Sequence, residues 1–312
     1  MKPFRIVEKK NLWFLISVAV ILLGVGNSFS NALNQKPVLN FGIDFTGGTT
    51  MLLKFDALTE RYSNRSSDKT VSDVNIRFIE NMRHILKSFG LEKSNIQITN
   101  DQEIIIHTQF LDNSRRLAIQ SQLQEKLGHM ELLEVDIIGP TIGQELKETS
   151  VWIIVLVSIA LLLYITWRFD LAFGLAALIA TIHDGIITLS LASLLNIEIN
   201  TAFVAAILTI LGYSINDTIV VFDRIRENLV HVKDSQTIHP LVNKSIYQTL
   251  FRTINTSLTT LFVIVCLFVF GGTTIKGFAL VLLIGILAGT YSSVFIASPV
   301  FTMLYTKLKK VD

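Results

Sequence analysis

GYSINDTIVVFDRIREN, residues 212–228, follows directly on the apolar run NTAFVAAILTIL (200–211). Together they read as one helix long enough to cross a bilayer, with Asn216 and Asp217 inside it. A carboxylate in mid-membrane costs about 2.5–3.5 kcal/mol on insertion scales, so such a residue usually has a partner or a task. The reading of this stretch decides whether the chain is a membrane protein.

The surrounding composition agrees that it is. Half of the 312 residues are hydrophobic and the mean hydropathy is +0.52, too apolar for an ordinary soluble chain. A hydrocarbon core about 30 Å thick needs about 20 mostly apolar residues as a helix. The segments that qualify are 11–30, 150–168, 171–195, 200–223, 251–270 and 277–305. The last is long and is expected to end near Pro299 or to tilt.

Net charge is only +2, so the position of charge matters more than its sum. The MKPFRIVEKK start, Arg168, the 224–250 connection with Arg224, Arg226, Lys233 and Lys244, and the TKLKKVD end all fall on one side of a six-span plan. The opposite short loops offer Lys276 and Glu198. The positive-inside rule then places both termini in the cytoplasm. Trp13, Trp152 and Trp167 lie at span ends, where interfacial anchors belong. The first span has some features of a signal peptide, but its removal would spoil the charge bias, and an uncleaved helix is the better reading. Cys266 rules out internal disulfides as the single cysteine and reads as a small packing residue.

Residues 31–149 form the one large polar block. TTMLLKF (49–55), IQIT (96–99), EIIIHT (103–108) and ELLEVDII (131–138) read as strands, with an Asn-Asp turn between the middle two. VSDVNIRFIENMRHILKSFG (71–90) and DNSRRLAIQSQLQEKLG (112–128) read as helices closed by glycine. The order βαββαβ is the ferredoxin-like arrangement. TERYSNRSSDK (59–69) reads as a mobile loop. The expected divisions are 1–30 (N-terminus and first span), 31–149 (an extracytoplasmic α+β domain) and 150–312 (spans 2–6).

Nothing in the polar block looks catalytic. His84, His107 and His129 lack metal-ligand spacing. The pairs Gly47-Gly48 and Gly271-Gly272 lack the lysine and spacing of a phosphate loop. No metal, cofactor, hydrolytic site or nucleic-acid partner is expected, and any work must draw its energy from elsewhere.

The chemistry therefore concentrates in the membrane. Thr209, Gly212, Tyr213, Asn216 and Asp217 recur at helical spacing on one side of span 4, and Asp223 and Arg224 mark its cytoplasmic end. Span 5 carries Arg252, Asn255, Thr256 and Thr259 as a polar stripe. Facing stripes of opposite charge suggest an ion pair or a gated proton path. A structural salt bridge, with Arg252 reaching for the interface, is the plainer alternative. His183-Asp184 in span 3, with Thr181 and Thr188, reads mainly as a hydrogen-bonded interior cluster and secondarily as a second relay. An intramembrane aspartyl protease would need both carboxylates at close range and would leave Arg252 without a role. Gly285 and Gly289, extended by Ala288, Ser292 and Ser293, suit close packing within the chain.

FGIDFTGGT (41–49), HD (183–184), GYSINDTIVVFDRIREN, RTINTSLTT (252–260) and FALVLLIGILAGTYSSVFIASPV (278–300) together closely resemble the SecF type of the SecD/SecF protein-export family. The resemblance implies a six-helix polytopic membrane protein, half of an RND-type pseudo-repeat, with the α+β ferredoxin-like domain between helices 1 and 2. It implies an accessory subunit in the bacterial cytoplasmic (inner) membrane that works with SecD and the SecYEG channel on preproteins, driven by the ion-motive force. YajC and YidC are further candidate partners, and membrane lipids surround the spans. The family's intramembrane Asp maps onto Asp217 and its basic partner onto Arg252, with Tyr213, Asn216, Asn255, Thr256 and Thr259 as polar support. Gly42, Asp44, Gly47 and Gly48 belong to a family motif at the base of the polar domain. The alternatives are an RND-type exporter of small molecules or lipids and a passive scaffold.

Overall fold

The computed structural model describes residues 5–35, 37–58, 68–99, 102–230 and 238–308. Its elements are α1 (Lys10–Leu33), a short α2 (Ile43–Thr46), β1 (Gly48–Phe55), α3 (Asp68–Lys87), β2 (Asn95–Ile98), β3 (Glu103–Thr108), α4 (Asn113–Leu127) and β4 (Met130–Ile138). Then come α5 (Pro140–Arg168), α6 (Leu171–Leu194), α7 (Thr201–Leu229), α8 (Ile238–Phe270), α9 (Thr273–Ser292), a π turn (Ser293–Ala297) and α10 (Ser298–Leu308). The chain divides into a helical unit (1–40 with 150–312) and a sheet unit (41–149). The loop expected over 59–69 lies outside the described residues up to 67, and α3 begins at Asp68.

Counting α9 through α10 as one, six helices among the described residues are long and apolar enough to cross a membrane. The chain is a multi-pass helical membrane protein with a small antiparallel sheet. Two helices begin well before their apolar runs: α5 at Pro140 and α8 at Ile238. Polar residues continue a helix readily once its backbone bonds propagate. The last span does not stop at Pro299. The backbone widens into the π turn just before it and runs on to Leu308. Proline has no N–H to donate and crowds the preceding turn. The wider turn absorbs this, and the Ser298 hydroxyl donates to the carbonyl of Ser293 (3.1 Å).

Within the helical unit, α6, α7 and α9 hold the interior, whereas α1, α5 and α8 leave most of their surface open. Helices approach closely where side chains are small. A Cβ on Gly285 would collide with Ile210, and one on Gly289 with Ser214, both on α7. The paired glycines thus pack within the chain. Asn27 and Ser28 of α1 bond Ser193 of α6. Phe173 and Phe301 stack at one end of the core with ring centroids 4.0 Å apart, and Phe222 meets Phe173 edge-on. Nearby, Asn243 of α8 accepts from the backbone amides of Ile6 and Val7 (3.0 and 3.1 Å), which buries the chain just ahead of α1. Cys266 sits on the exposed side of α8 instead of in a packed interior. α8 buries only a narrow stripe, so most of its apolar positions face outward.

The sheet unit is a four-stranded antiparallel sheet in the order β2-β3-β1-β4. With the two helices this is the ferredoxin-like fold. Strand alternation sends Met51, Leu53 and Phe55 of β1, with Ile104 and Ile106 of β3, into a core shared with Met82, Leu86, Ile119 and Leu123 of the helices. α4 starts at Asp112, whose carboxylate accepts from the Arg115 amide (2.7 Å). That hydrogen bond, seconded by Ser114, holds the Asp112 carboxyl below its ordinary value. Gly47 and Gly48 both take positive φ (68° and 140°). A Cβ on Gly47 would strike Pro140, and one on Gly143 would strike the Gly47 amide nitrogen. The glycine pair is therefore where β1 begins and the first turn of α5 touches down.

Candidate functional site

α7 is opened by Asn200, whose side chain accepts from the Phe203 amide (2.9 Å). Its interior side carries Ile210, Ser214, Asp217, Thr218 and Val221, and Asp217 is 1% exposed. Thr209, Gly212 and Asn216 lie exposed on the adjacent side, and Tyr213 lies between the two with a buried hydroxyl that finds no hydrogen-bond partner among the described residues. The five positions read as one face therefore divide. Successive helical residues are separated by about 100°, so Asn216 cannot share the direction of Asp217.

α8 divides in the same way. Thr253, Ser257 and Ile264 face inward, whereas Arg252, Asn255, Thr256 and Thr259 are exposed. Among the described residues, no ion pair joins Asp217 to Arg252. Asp217 instead receives the hydroxyl of Ser257 (3.2 Å), and Thr256 is the second hydroxyl beside it. Ser257 also lies 2.7 Å from the Thr290 hydroxyl of α9, which donates to the Ile286 carbonyl (2.8 Å). Each hydroxyl has one proton to give. When Asp217 is ionised, Ser257 must donate to it. When Asp217 is protonated, it can donate to Ser257, which then donates to Thr290. The same heavy atoms thus serve both states, with the direction of the Ser257 hydroxyl reversed.

The second carboxylate is more completely enclosed. Asp184 is 0% exposed. His183 Nδ1 lies 2.9 Å from its Oδ1, while Ser214 and Ser292 donate to its Oδ2 at 2.5 and 2.7 Å. His183 Nε2 meets the Ser17 hydroxyl of α1 (2.8 Å), and the Tyr291 ring stacks on the imidazole. The cluster joins α1, α6, α7 and α9. Thr181 and Thr188 are not its ligands: they donate to the backbone carbonyls of Ala177 and Asp184. Hydroxyls on a helix readily bond the carbonyl four residues back, which removes them from cross-helix use. The hydroxyls arranged about the two carboxylates, Ser17, Ser214, Ser257, Thr290 and Ser292, are not picked out as their partners by sequence reasoning, where Ser292 enters only as a small packing residue. Their one signal is position, single hydroxyls at helical spacing from a carboxylate or inside an otherwise apolar span.

At the end of α7, Asp223 pairs with Arg226 (3.0 Å) and Arg168 (3.5 Å), and Arg224 with Glu227 (2.9 Å). These exposed pairs contribute little to stability.

The histidines of the sheet unit lie apart. His84 is exposed, His107 contacts Thr50 (2.9 Å) and His129 contacts Asp56 (2.9 Å). Burial lowers the His107 pKa. Among the described residues no three His, Cys, Asp or Glu side chains converge as metal ligands. Gly42 caps α2, and Asp44 lies in it close enough to Asp136 to help raise that carboxyl, after burial and Glu134.

The family described as "Protein export membrane protein SecD/SecF, C-terminal" matches residues 118–307, and the SecD/SecF GG motif matches residues 36–57. A protein translocase subunit SecF from Acidaminococcus fermentans is 38% identical over 99% of this chain and 100% of its own length. One from Desulfurispirillum indicum is 40% identical over 91% of this chain and 84% of its own. The crystal structure of SecDF, a translocon-associated membrane protein from Thermus thermophilus, superposes with a TM-score of 0.81 at 33% identity, covering 99% of this chain and 39% of that one. SecDF in a super-membrane-facing form gives a TM-score of 0.66 over 100% and 40%. The chain thus spans about two fifths of the chains in those two structures.

Proposed function

Because the chain belongs to the SecD/SecF family of protein-export membrane proteins, we propose that it is an accessory subunit of the Sec translocase that converts an ion gradient into help for preprotein export. Asp217 is the proton carrier. Arg252 is the counter-charge that approaches when the proton leaves. The partner is a SecD half, and the pair acts with the SecYEG channel. YajC and YidC are further candidates. The protein lies in the inner membrane with both termini in the cytoplasm, and residues 31–149 face the other side. No hydrolytic step is assigned to it.

The observation that carries this reading is a buried carboxylate with hydroxyl partners and, among the described residues, no cation paired with it. An ionised group in such a place needs a counter-charge or a proton. Beside it lies a stripe that is polar and exposed: Thr209, Gly212, Asn216, Arg252, Asn255, Thr256 and Thr259. Polar side chains on spans face a bundle interior or a partner, not lipid. A second half packed on that stripe would cover it and place Arg252 near the carboxylate. Moving one charge through the membrane supplies about 2.3 kcal/mol per 100 mV.

The test is Asp217→Asn in a complex that still assembles. Gradient-dependent export should fall to the rate seen without a gradient; a normal rate sinks the reading. A passive scaffold is the competing account, favoured by the fully hydrogen-bonded surroundings of Asp184. It requires that exchanging the pair, Asp217→Arg with Arg252→Asp, leave export intact.

A further inference from the structure

Asp184 and Asp217 are the only charged side chains among the buried residues described. The mechanism above uses one of them. We propose that His183 and Asp184 form a second proton-holding site, fixed across four spans by Ser17, Ser214 and Ser292, that loads and unloads in the same cycle as Asp217. The proposal rests on the proton-carrier reading for its place in the cycle, but the site itself stands on its own geometry.

Two charge states fit the same heavy atoms. In the first, the imidazole is neutral. Nδ1–H donates to Asp184 Oδ1, and Nε2 accepts the Ser17 hydroxyl proton. The dyad then carries one net negative charge. In the second, a proton from water has been added at Nε2, which now donates to Ser17 Oγ, and the dyad is neutral. The only internal change is rotation of one hydroxyl. Asp184 Oδ2 keeps Ser214 and Ser292 as donors throughout, although Ser292 can also turn to the Gly289 carbonyl (3.2 Å).

The neighbours offer no other compensation. α1 presents Ser17 and the Trp13 carbonyl, which accepts from the Tyr291 hydroxyl (2.8 Å). α9 presents Ser292 and the Tyr291 ring, 6.2 Å from the imidazole. α7 presents Ser214 and, one turn on, Asp217. Among the described residues, the titratable groups that these helices bring to the dyad are therefore Asp217 and Tyr291, and neither is a cation. A lone negative charge in this interior is costly, and two are costlier because like charges disfavour each other's ionisation.

The two sites also share scaffolding. Ser214, three residues from Asp217 on α7, donates to Asp184. Ser292, two residues from Thr290 on α9, donates to Asp184, while Thr290 reaches Asp217 through Ser257. Emptying one site should therefore make the other hold its proton more firmly.

The experiment is ¹⁵N-imidazole NMR of the assembled complex in lipid across pH, with the His183 signal identified by its loss in His183→Gln. Should that variant fail to assemble, a form in which His183 is the one histidine retained serves the same purpose. His183 should change protonation within the accessible range. Asp184→Asn should weaken its proton binding at least tenfold, and Asp217→Asn should weaken it measurably by removing a like charge. A His183 signal that keeps one state across the range, or proton binding unchanged in Asp184→Asn, overturns the proposal. Normal export by Asp217→Asn would defeat the carrier reading alone; a titrating His183 would still stand.

Discussion

Ser257 decides what Asp217 can do. It is the hydroxyl that must reverse when the carboxylate gains or loses a proton, because Thr290 beyond it already serves the Ile286 carbonyl. Ser257→Ala should assemble normally yet lower gradient-driven export several-fold, whereas Ser257→Thr, which keeps the hydroxyl, should retain most of it. Export into inverted vesicles with and without a gradient measures both. Asp136 makes a second residue-scale case, in the sheet unit. Partial desolvation first, then the charges of Glu134 and Asp44, push its carboxyl above the ordinary 3.8, but the side chain stays exposed, so solvent screens most of the effect. A raised folded value means that the protonated form favours the fold. That contribution is present at low pH and is lost as pH rises from 3.8 through the folded value. Asp136→Asn should therefore raise amide protection in the β1–β4 ladder slightly at pH 7, with intrinsic exchange rates divided out, and leave it unchanged below pH 3.8. Neither role is legible from sequence, where Ser257 is one hydroxyl in TINTSLTT and Asp136 one acid in ELLEVDII.

At the scale of elements, one close helix contact is between α7 and α9. Gly285 and Gly289 let the two backbones approach where Ile210 and Ser214 stand opposite. Gly285→Val puts two methyls and a Cβ into the space held by Ile210. Overpacking of this kind typically costs about 1–3 kcal/mol. Because Ser214 and Ser292 lie on the same two helices, it should also disturb Asp184. A lowered midpoint of thermal unfolding in detergent, with Gly285→Ala intermediate, is the expected outcome. The small-residue spacing was legible as a packing signal. The register that sets Gly289 against Ser214 was not, because it depends on which helix becomes the neighbour. The π turn before Pro299 is similar: the proline announces a disturbance, but whether the helix ends or widens is decided by the packing around it.

At the scale of the whole molecule, the helical unit buries two carboxylates and leaves a polar stripe open on α7 and α8. A span presenting Arg252, Asn255, Thr256 and Thr259 is better matched to another protein than to lipid. Asn255→Leu together with Thr259→Leu should leave the isolated chain folded while reducing co-purification of its partner half several-fold. Unchanged co-purification would place the interface elsewhere. The chain spans about two fifths of the chains in the SecDF structures, so a second half can be accommodated beside it.

The sequence by itself determined the six spans, the βαββαβ order of the sheet unit, the close-packing glycines and the two carboxylates that lie inside the spans. These follow from hydrophobic length, strand and helix periodicity, and the cost of charge in lipid, all of which are local. It did not determine which polar groups meet. Positions one residue apart on a helix point about 100° apart. A slight turn of α7 and α8 therefore sends Asp217 and Ser257 inward and Asn216 and Arg252 outward. Only the packed bundle fixes that rotation, because it is set by the fit of Gly285 on Ile210, Gly289 on Ser214, and Ser17, Ser214 and Ser292 around the His183–Asp184 pair.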